Sequence, residues 1–346
     1  MTSTIALFLL QDGVINGAIY ALLGVTLVLL FAVTRVIFVP QGEFVAWGAL
    51  TMAALEAGAV PGTAWLLVSL GLAAGLLEIV RERQSLTLRQ LGRIAALDVV
   101  APVLLLLAVL WLAPMKLGLP VGILLTLAMI VPLGPLVYRL AFQPLADASV
   151  LALFIAAIGV HFAMVGIGLV FFGAEGFRTT PFWDGSFQLG ALRVKGQSVW
   201  VLGLTAIVLI GLYLFFERTL LGKALRATAV NRLGARLVGI PVRATGRMAF
   251  ALAAGIGAVS GLLIGPLTTI YYDTGFLIGL KGFVAAICGG LVSYPLTALA
   301  ALMVGLLESY SAFFASAFKE VIVFSLLIPV LVWRSFAGGA HDEEEE

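Results

Sequence analysis

The chain has 346 residues, 62% of them hydrophobic and 11% charged, with a formal net charge of +2. Soluble domains carry roughly 25% charged residues, and a mean hydropathy of +1.15 excludes a water-soluble globular enzyme. The near balance of charge gives no basis for a nucleic-acid partner, and a single cysteine, Cys288, excludes an intrachain disulfide.

Many segments reach the roughly 20 apolar residues that cross a bilayer. The pattern predicts helices over about 4–34, 42–58, 62–79, 97–114, 118–138, 149–172, 198–216, 246–269, 274–290, 294–311 and 319–334. Gln11-Asp12-Gly13 is a candidate break in the first. A β-barrel would alternate apolar and polar residues; LLTLAMIVPLGPLVY does not. The fold class is therefore all-α, a polytopic helical membrane protein. No Lys or Arg precedes Arg35, so the basic start of a signal peptide is missing and the first helix is expected to be retained. Gly13 and Gly17 form one GxxxG, and Gly257, Gly261 and Gly265 a double one, spacings that let helices approach closely in lipid.

Charge sets an expected orientation. Arg81, Arg83, Arg89 and Arg93 mark one basic loop, Arg139 a shorter one, and residues 217–247 hold seven of the twenty Lys and Arg residues. With the helices above, all three fall on one face, expected to be cytoplasmic because Lys and Arg are retained there. The N-terminus and the mixed-charge segment 173–197 are then outside, and the acidic tail Asp342–Glu346 is cytoplasmic and solvated.

Ionisable residues within apolar spans are costly and are candidates for function. Lys281, Glu308 and His161 are of this kind, and Glu43 follows Pro40-Gln41-Gly42 at a helix start. Each also has a structural reading. Glu43 suits the positive end of a helix dipole, His161 a hydrogen bond between helices, Lys281 snorkelling to an interface, and Glu308 an interfacial helix end. Carboxylates deep in a helix are expected to be essentially absent, which disfavours a secondary transporter. With His161 and the tail His341 as the only histidines, no His-rich metal site is expected. No catalytic motif or phosphate-binding loop is present: Gly222-Lys223-Ala224 lacks the upstream Gly and the hydroxyl residue. No cofactor is implied.

The basic segment is patterned. Leu225, Ala229, Leu233 and Leu237 recur every four residues, with Lys223, Arg226, Arg232 and Arg236 on other faces, and Gly239 and Pro241 as stop signals. This predicts one amphipathic helix of about four turns. Such a helix lies on anionic lipid or docks its stripe on a soluble partner.

Several stretches resemble the membrane permeases of branched-chain amino acid ABC importers, the LivH-like family. They are INGAIYALLGVTLVLLFAVTRVIFVPQGEFVAWGAL at 15–50, QPLADASVLALFIAAIGV at 143–160, LGKALRATAVNRLGARLVGIPVRATGRMAFALAAGIGAVSGLLIGPL at 221–267, and GFLIGLKGFVAAICGGL at 275–291 through AFKEVIVFSLLIPVLVWR at 317–334. The resemblance implies a single permease domain of about nine core helices, with inverted repeats and broken or re-entrant helices. It implies a transport subunit that is not itself an enzyme. Implied partners are a second, LivM-like permease, two ATPase subunits and an external substrate-binding protein, in the inner membrane and its lipid. Segment 221–241 is then like the family's coupling element, within a cytoplasmic stretch 217–245, and Leu225, Arg226, Asn231, Arg232, Leu233, Arg236 and Gly239 are its expected contacts. Asn16, Tyr20, Gln41, Glu43 and Lys281 are the expected pathway residues.

Two departures stand out. The family's first cytoplasmic turn reads close to N-F-A-H-G-E; here Phe38-Val39-Pro40-Gln41-Gly42-Glu43 keeps Gly and Glu but neither Asn nor His. Residues 65–115 are expected to insert two extra helices. A membrane scaffold that binds a soluble partner, and a secondary transporter, are the alternative readings.

Overall fold

The computed structural model describes residues 3–81, 87–116, 118–190 and 192–338. Arg83, His341 and the tail Asp342–Glu346 lie outside them. Among the described residues, nine helices are long and apolar enough to cross a membrane. They are α1 (Ser3–Thr34), α3 (Gly62–Arg81), the continuous run Leu88–Met115 formed by α4 (Leu88–Ile94), a π-helical segment (Ala95–Val100) and α5 (Ala101–Leu112), and α6 (Leu119–Val137), which continues as a π-helix to Phe142. Then come α7 (Val150–Phe172), α8 (Gly196–Arg218), α11 (Val242–Ile264), α13 (Tyr294–Phe314), and the run Ser316–Trp333, which holds α14 (Lys319–Ser325) and most of α15 (Leu327–Gly338). Backbone groups in lipid must bond within their own segment, so long apolar stretches become helices regardless of propensity. Two short helices, α9 (Leu220–Val230) and α10 (Arg232–Leu237), occupy the basic segment, and β1 (Ser186–Leu189) pairs with β2 (Leu192–Lys195) as an antiparallel hairpin.

Two apolar helices are half-length, α2 (Gln41–Glu56) and α12 (Thr274–Cys288). α2 runs alongside α11 in the same direction. Gln41 Nε2 donates to the Ala253 carbonyl at 3.0 Å, and Val45 and Ala49 lie against Gly261. Because Ala253 is halfway along α11, α2 starts in mid-bundle; Ala49 is level with Gly265 at the end of α11, and α2 runs on to Glu56. In the same way α12 follows α1 from its middle, with Gly282 against Leu23 and Gly24. The N-termini of the two half-helices meet backbone to backbone at Gly42, Gly275 and Gly279.

The packing is that of an inverted repeat. α1 leads into α2, which lies on α11; α11 leads into α12, which lies on α1. α6 packs on α11 as α13 packs on α1, and α7 touches α2 as α15 touches α12. The GxxxG spacings serve these contacts: Gly13 and Gly17 meet the backbone of α13 at Gly305, and Gly257 and Gly261 meet α2. Below the start of α2, where a full helix would continue, the space is filled by aromatics. Phe38 contacts Phe44, Phe142 and Phe250 at 5.8, 5.7 and 4.9 Å between ring centres, all buried.

Several expectations change. α1 is continuous through Gln11-Asp12-Gly13, because Gly13 is held against α13 and a turn there would forfeit that packing. Arg89 and Arg93 are helical, on α4 behind a Thr87–Gln90 capping box, rather than in a loop. Arg139 is no loop residue: it sits in the π-helical end of α6, its guanidinium on Asp98 at 2.5 and 2.8 Å and on Glu78. Among the described residues, the hairpin β1–β2 and the bridge Phe177–Ile270 are the departures from helix and loop.

Candidate translocation and coupling sites

Four of the five expected pathway residues are sealed among the chain's own helices. Gln41 and Glu43 are fully buried, Tyr20 and Lys281 nearly so, and Asn16, one turn before Tyr20, is half-buried. They fall into two polar groups on either side of the half-helix crossing.

The first group stands at the start of α2. Glu43 is in its first turn, where the dipole favours a carboxylate. His161, from the middle of α7, brings Nδ1 to 3.1 Å from Glu43 Oε1, but off the angle of a hydrogen bond. Both Glu43 oxygens, Gln41 Oε1 and Trp47 Nε1 have no hydrogen-bond partner among the described residues. Buried polar atoms are seldom left so. With His161 Nδ1, likewise without a hydrogen-bond partner, five such atoms around one helix start mark the place where polar capacity exceeds what this arrangement uses.

The second group joins α12 to α1, α13 and α14. Lys281 Nζ donates to Glu308 Oε1 at 2.5 Å and to Glu320 Oε1 at 3.2 Å; Tyr20 Oη donates to Glu308 Oε2 at 2.5 Å. Lys281 therefore does not snorkel. Glu308 is not an interfacial helix end but a buried partner, 8% exposed, because α13 runs on to Phe314. Glu43, Asp98 and Glu308 are all buried, which overturns the expectation that carboxylates deep in helices are absent.

On the basic face the expected four-turn helix is two helices. Asn231 ends α9 and caps α10, its side chain accepting from the Gly234 amide at 2.8 Å. Asn is favoured at such N-caps, and Gly239 closes the segment at φ +85°. The break divides the leucine stripe. Leu225 is 1% exposed, packed into the chain's own core, whereas Leu233 and Leu237 are 68% and 81% exposed. Arg232 donates to the Ala146 carbonyl at 3.0 Å, Arg236 lies 3.4 Å from Asp147, and Arg226 pairs with Glu217 at 2.6 Å. These arginines tie the segment to its own chain and leave the α10 leucines presented outward.

On the opposite face a strap after α7 is bonded to the end of α2 and to the connection between α11 and α12. Thr180 donates through N and Oγ1 to the Glu56 carboxylate, at the end of α2. Phe177 exchanges two 2.9 Å backbone hydrogen bonds with Ile270, Arg178 donates to the Leu267 carbonyl, and Thr179 N donates to Gly265, all on the segment leading into α12. Residue types at 173–197 gave no signal of this.

The sequence matches the family described as "Branched-chain amino acid transport system / permease component" over residues 9–331. The chain belongs to this family. It is similar to the high-affinity branched-chain amino acid transport system permease protein BraD of Pseudomonas aeruginosa, 31% identical over 208 residues, 58% of this chain and 68% of BraD. It is also similar to LivH of Escherichia coli K12, 27% identical over 203 residues, 56% of this chain and 65% of LivH. A probable LivH of Methanocaldococcus jannaschii is 28% identical over 205 residues, again spanning 65% of that relative. The chain is thus a polytopic transport permease.

Proposed function

We propose that this permease is the membrane subunit of an ABC importer that moves branched-chain amino acids or similar small polar solutes. ATP is hydrolysed on separate subunits. The relatives' names support the solute class. The partners in this reading are a second permease, two ATPases and an external binding protein. The chain sits in the inner membrane with its N-terminus outside and its C-terminal tail in the cytoplasm, as arginine placement on the α9–α10 face favours. α3 and the run Leu88–Met115 are an insertion in a single permease domain, since the inverted repeat closes without them.

The observation that carries this reading is α10. A helix of six residues, fixed by an Asn cap and by Arg232 to the 143–148 loop, holds Leu233 and Leu237 outward on the face that bears most of the chain's arginines. Exposed apolar side chains held rigidly are what a partner groove binds. α9 packs on both α1 and α11, so movement of a docked ATPase reaches both long helices of the repeat. The half-helices between them carry the sealed polar residues Tyr20, Gln41, Glu43 and Lys281, which line the pathway when the crossing opens. Asn16 extends the same face of α1.

Co-purification tests the docking. Leu233→Asp is expected to insert and fold normally yet recover no ATPase, because an unpaired charge in an apolar contact costs several kcal/mol. Equal recovery of the ATPase with full uptake would refute docking through α10.

A further inference from the structure

A cleft opens on the arginine-rich face where α3 meets the core. It is lined by Glu78 and Arg81 of α3, Arg139 and Gln143 at the end of α6, and Arg243 and Arg247 at the start of α11. Its charges are unevenly satisfied. Arg139 is committed to Asp98 and Glu78. Arg247 Nε donates to Gln143 Oε1 at 3.2 Å, and its Nη2 is 3.9 Å from Glu78. Arg81 and Arg243 are exposed and meet no carboxylate among the described residues. Four guanidinium charges face two carboxylates, so the cleft retains an excess of positive charge.

Its position selects the counter-charge. Arg81 is the last residue of a spanning helix and Arg243 lies in the first turn of another, which is the depth of lipid headgroups. Leading away from the cleft along α3, Leu76 and Val80 are 62% and 70% exposed, an apolar face suited to acyl chains. Guanidinium groups bind phosphate oxygens in bidentate fashion, and basic pockets between spanning helices hold anionic headgroups.

We propose that this cleft binds the phosphate headgroup of an anionic glycerophospholipid of the adjoining leaflet. The lipid bridges α3 to α6 and α11, with its chains along α3. The inference rests on the spanning fold and not on the solute or the ATPase, so its failure would leave the transport reading untouched.

Native mass spectrometry of the full chain in detergent, supplied with phosphatidylglycerol or phosphatidylcholine of matched chains, tests it. Phosphatidylglycerol should be retained preferentially. An arginine at the bound headgroup contributes on the order of a fivefold preference. Arg81→Gln should therefore lower the preference about fivefold, and Arg81→Gln with Arg243→Gln roughly thirtyfold. Arg89→Gln with Lys223→Gln removes as much charge from the same face outside the cleft and should leave the preference intact. A preference unchanged in the double cleft variant, or lost equally in the control, would overturn the proposal. Glycerol 3-phosphate provides the last arm. If it displaces the lipid at equal concentration, the site is for a soluble phosphate and the lipid assignment falls.

Discussion

Gly42 has no room for a side chain. A Cβ there would run into the Gly275 carbonyl and stand 2.8 Å from the Gly279 amide nitrogen, all of it backbone. Gly42→Ala should lower thermal stability in detergent, as overpacking that only backbone shifts can relieve typically costs about 1–3 kcal/mol. Gly203→Ala on α8, where a Cβ meets nothing within 4 Å, should be neutral or slightly stabilising; a similar loss at both positions would contradict a crowded crossing. The Lys281–Glu308 pair makes a second test. Removing either partner of a buried pair strands a charge and costs about 3–5 kcal/mol. Lys281→Met strands the buried Glu308 and should therefore destabilise strongly, Glu308→Leu should cost less because Lys281 keeps Glu320 at 3.2 Å, and Lys281→Met/Glu308→Leu should recover much of the Lys281→Met loss. An additive double variant would show that the two residues do not act as a pair. Lys281 was legible in the sequence because it is an ammonium group inside an apolar run. Glu308 stands out by the same test, but its position six residues before the end of α13 reads as an interfacial helix end; its burial and its partners, Tyr20 and Lys281, lie at separations no local pattern records. His161 is likewise visible as a histidine in an apolar span, but its placement opposite Glu43 is not, for the same reason.

At the level of elements, composition fixes which stretches are helical, and contact decides how long they are. α2 has 16 residues and α12 has 15, short for a span needing about 20. That shortness was visible in the sequence, but not that both begin in mid-bundle. The four-residue leucine stripe predicted one helix; Asn231, a residue that prefers caps to helix interiors, divides it. Leu225→Asp should consequently destabilise the chain itself, while Leu233→Asp should not, a difference measurable by detergent thermal melts. The strap at 177–180 makes a further prediction. It bonds to the end of α2 at Glu56 and to the lead-in of α12 at Ile270, so in the proposed orientation docking of the binding protein on that face reaches both. In the reconstituted importer, Glu56→Gln with Thr180→Val should weaken stimulation of ATP hydrolysis by loaded binding protein, with basal hydrolysis preserved. Stimulation at the level of the unaltered chain would show the strap to be passive.

At the scale of the whole molecule, the inverted repeat explains why two charge-bearing groups sit on either side of one glycine crossing. Each half-helix leans on the other repeat's long helix, so a change at α9 on one face or at the strap on the other reaches the same crossing. The repeat itself was not readable from internal sequence similarity; the family resemblance implied it and the packing displays it. The proposed orientation rests on arginine placement. A cysteine at position 232 in a Cys288→Ser background should react only with reagents that reach the cytoplasm, and one at position 184 only with external ones. The reverse pattern would invert the molecule. In the proposed function, ATP hydrolysed by partner subunits drives solute through this chain. Uptake of labelled leucine into proteoliposomes, with the ATPases and binding protein present or omitted, tests it most directly. Uptake should require ATP together with the ATPases, and the chain alone should hydrolyse none. Accumulation by the chain alone, driven by a proton or sodium gradient through the buried Glu43 and Glu308 groups, would contradict it.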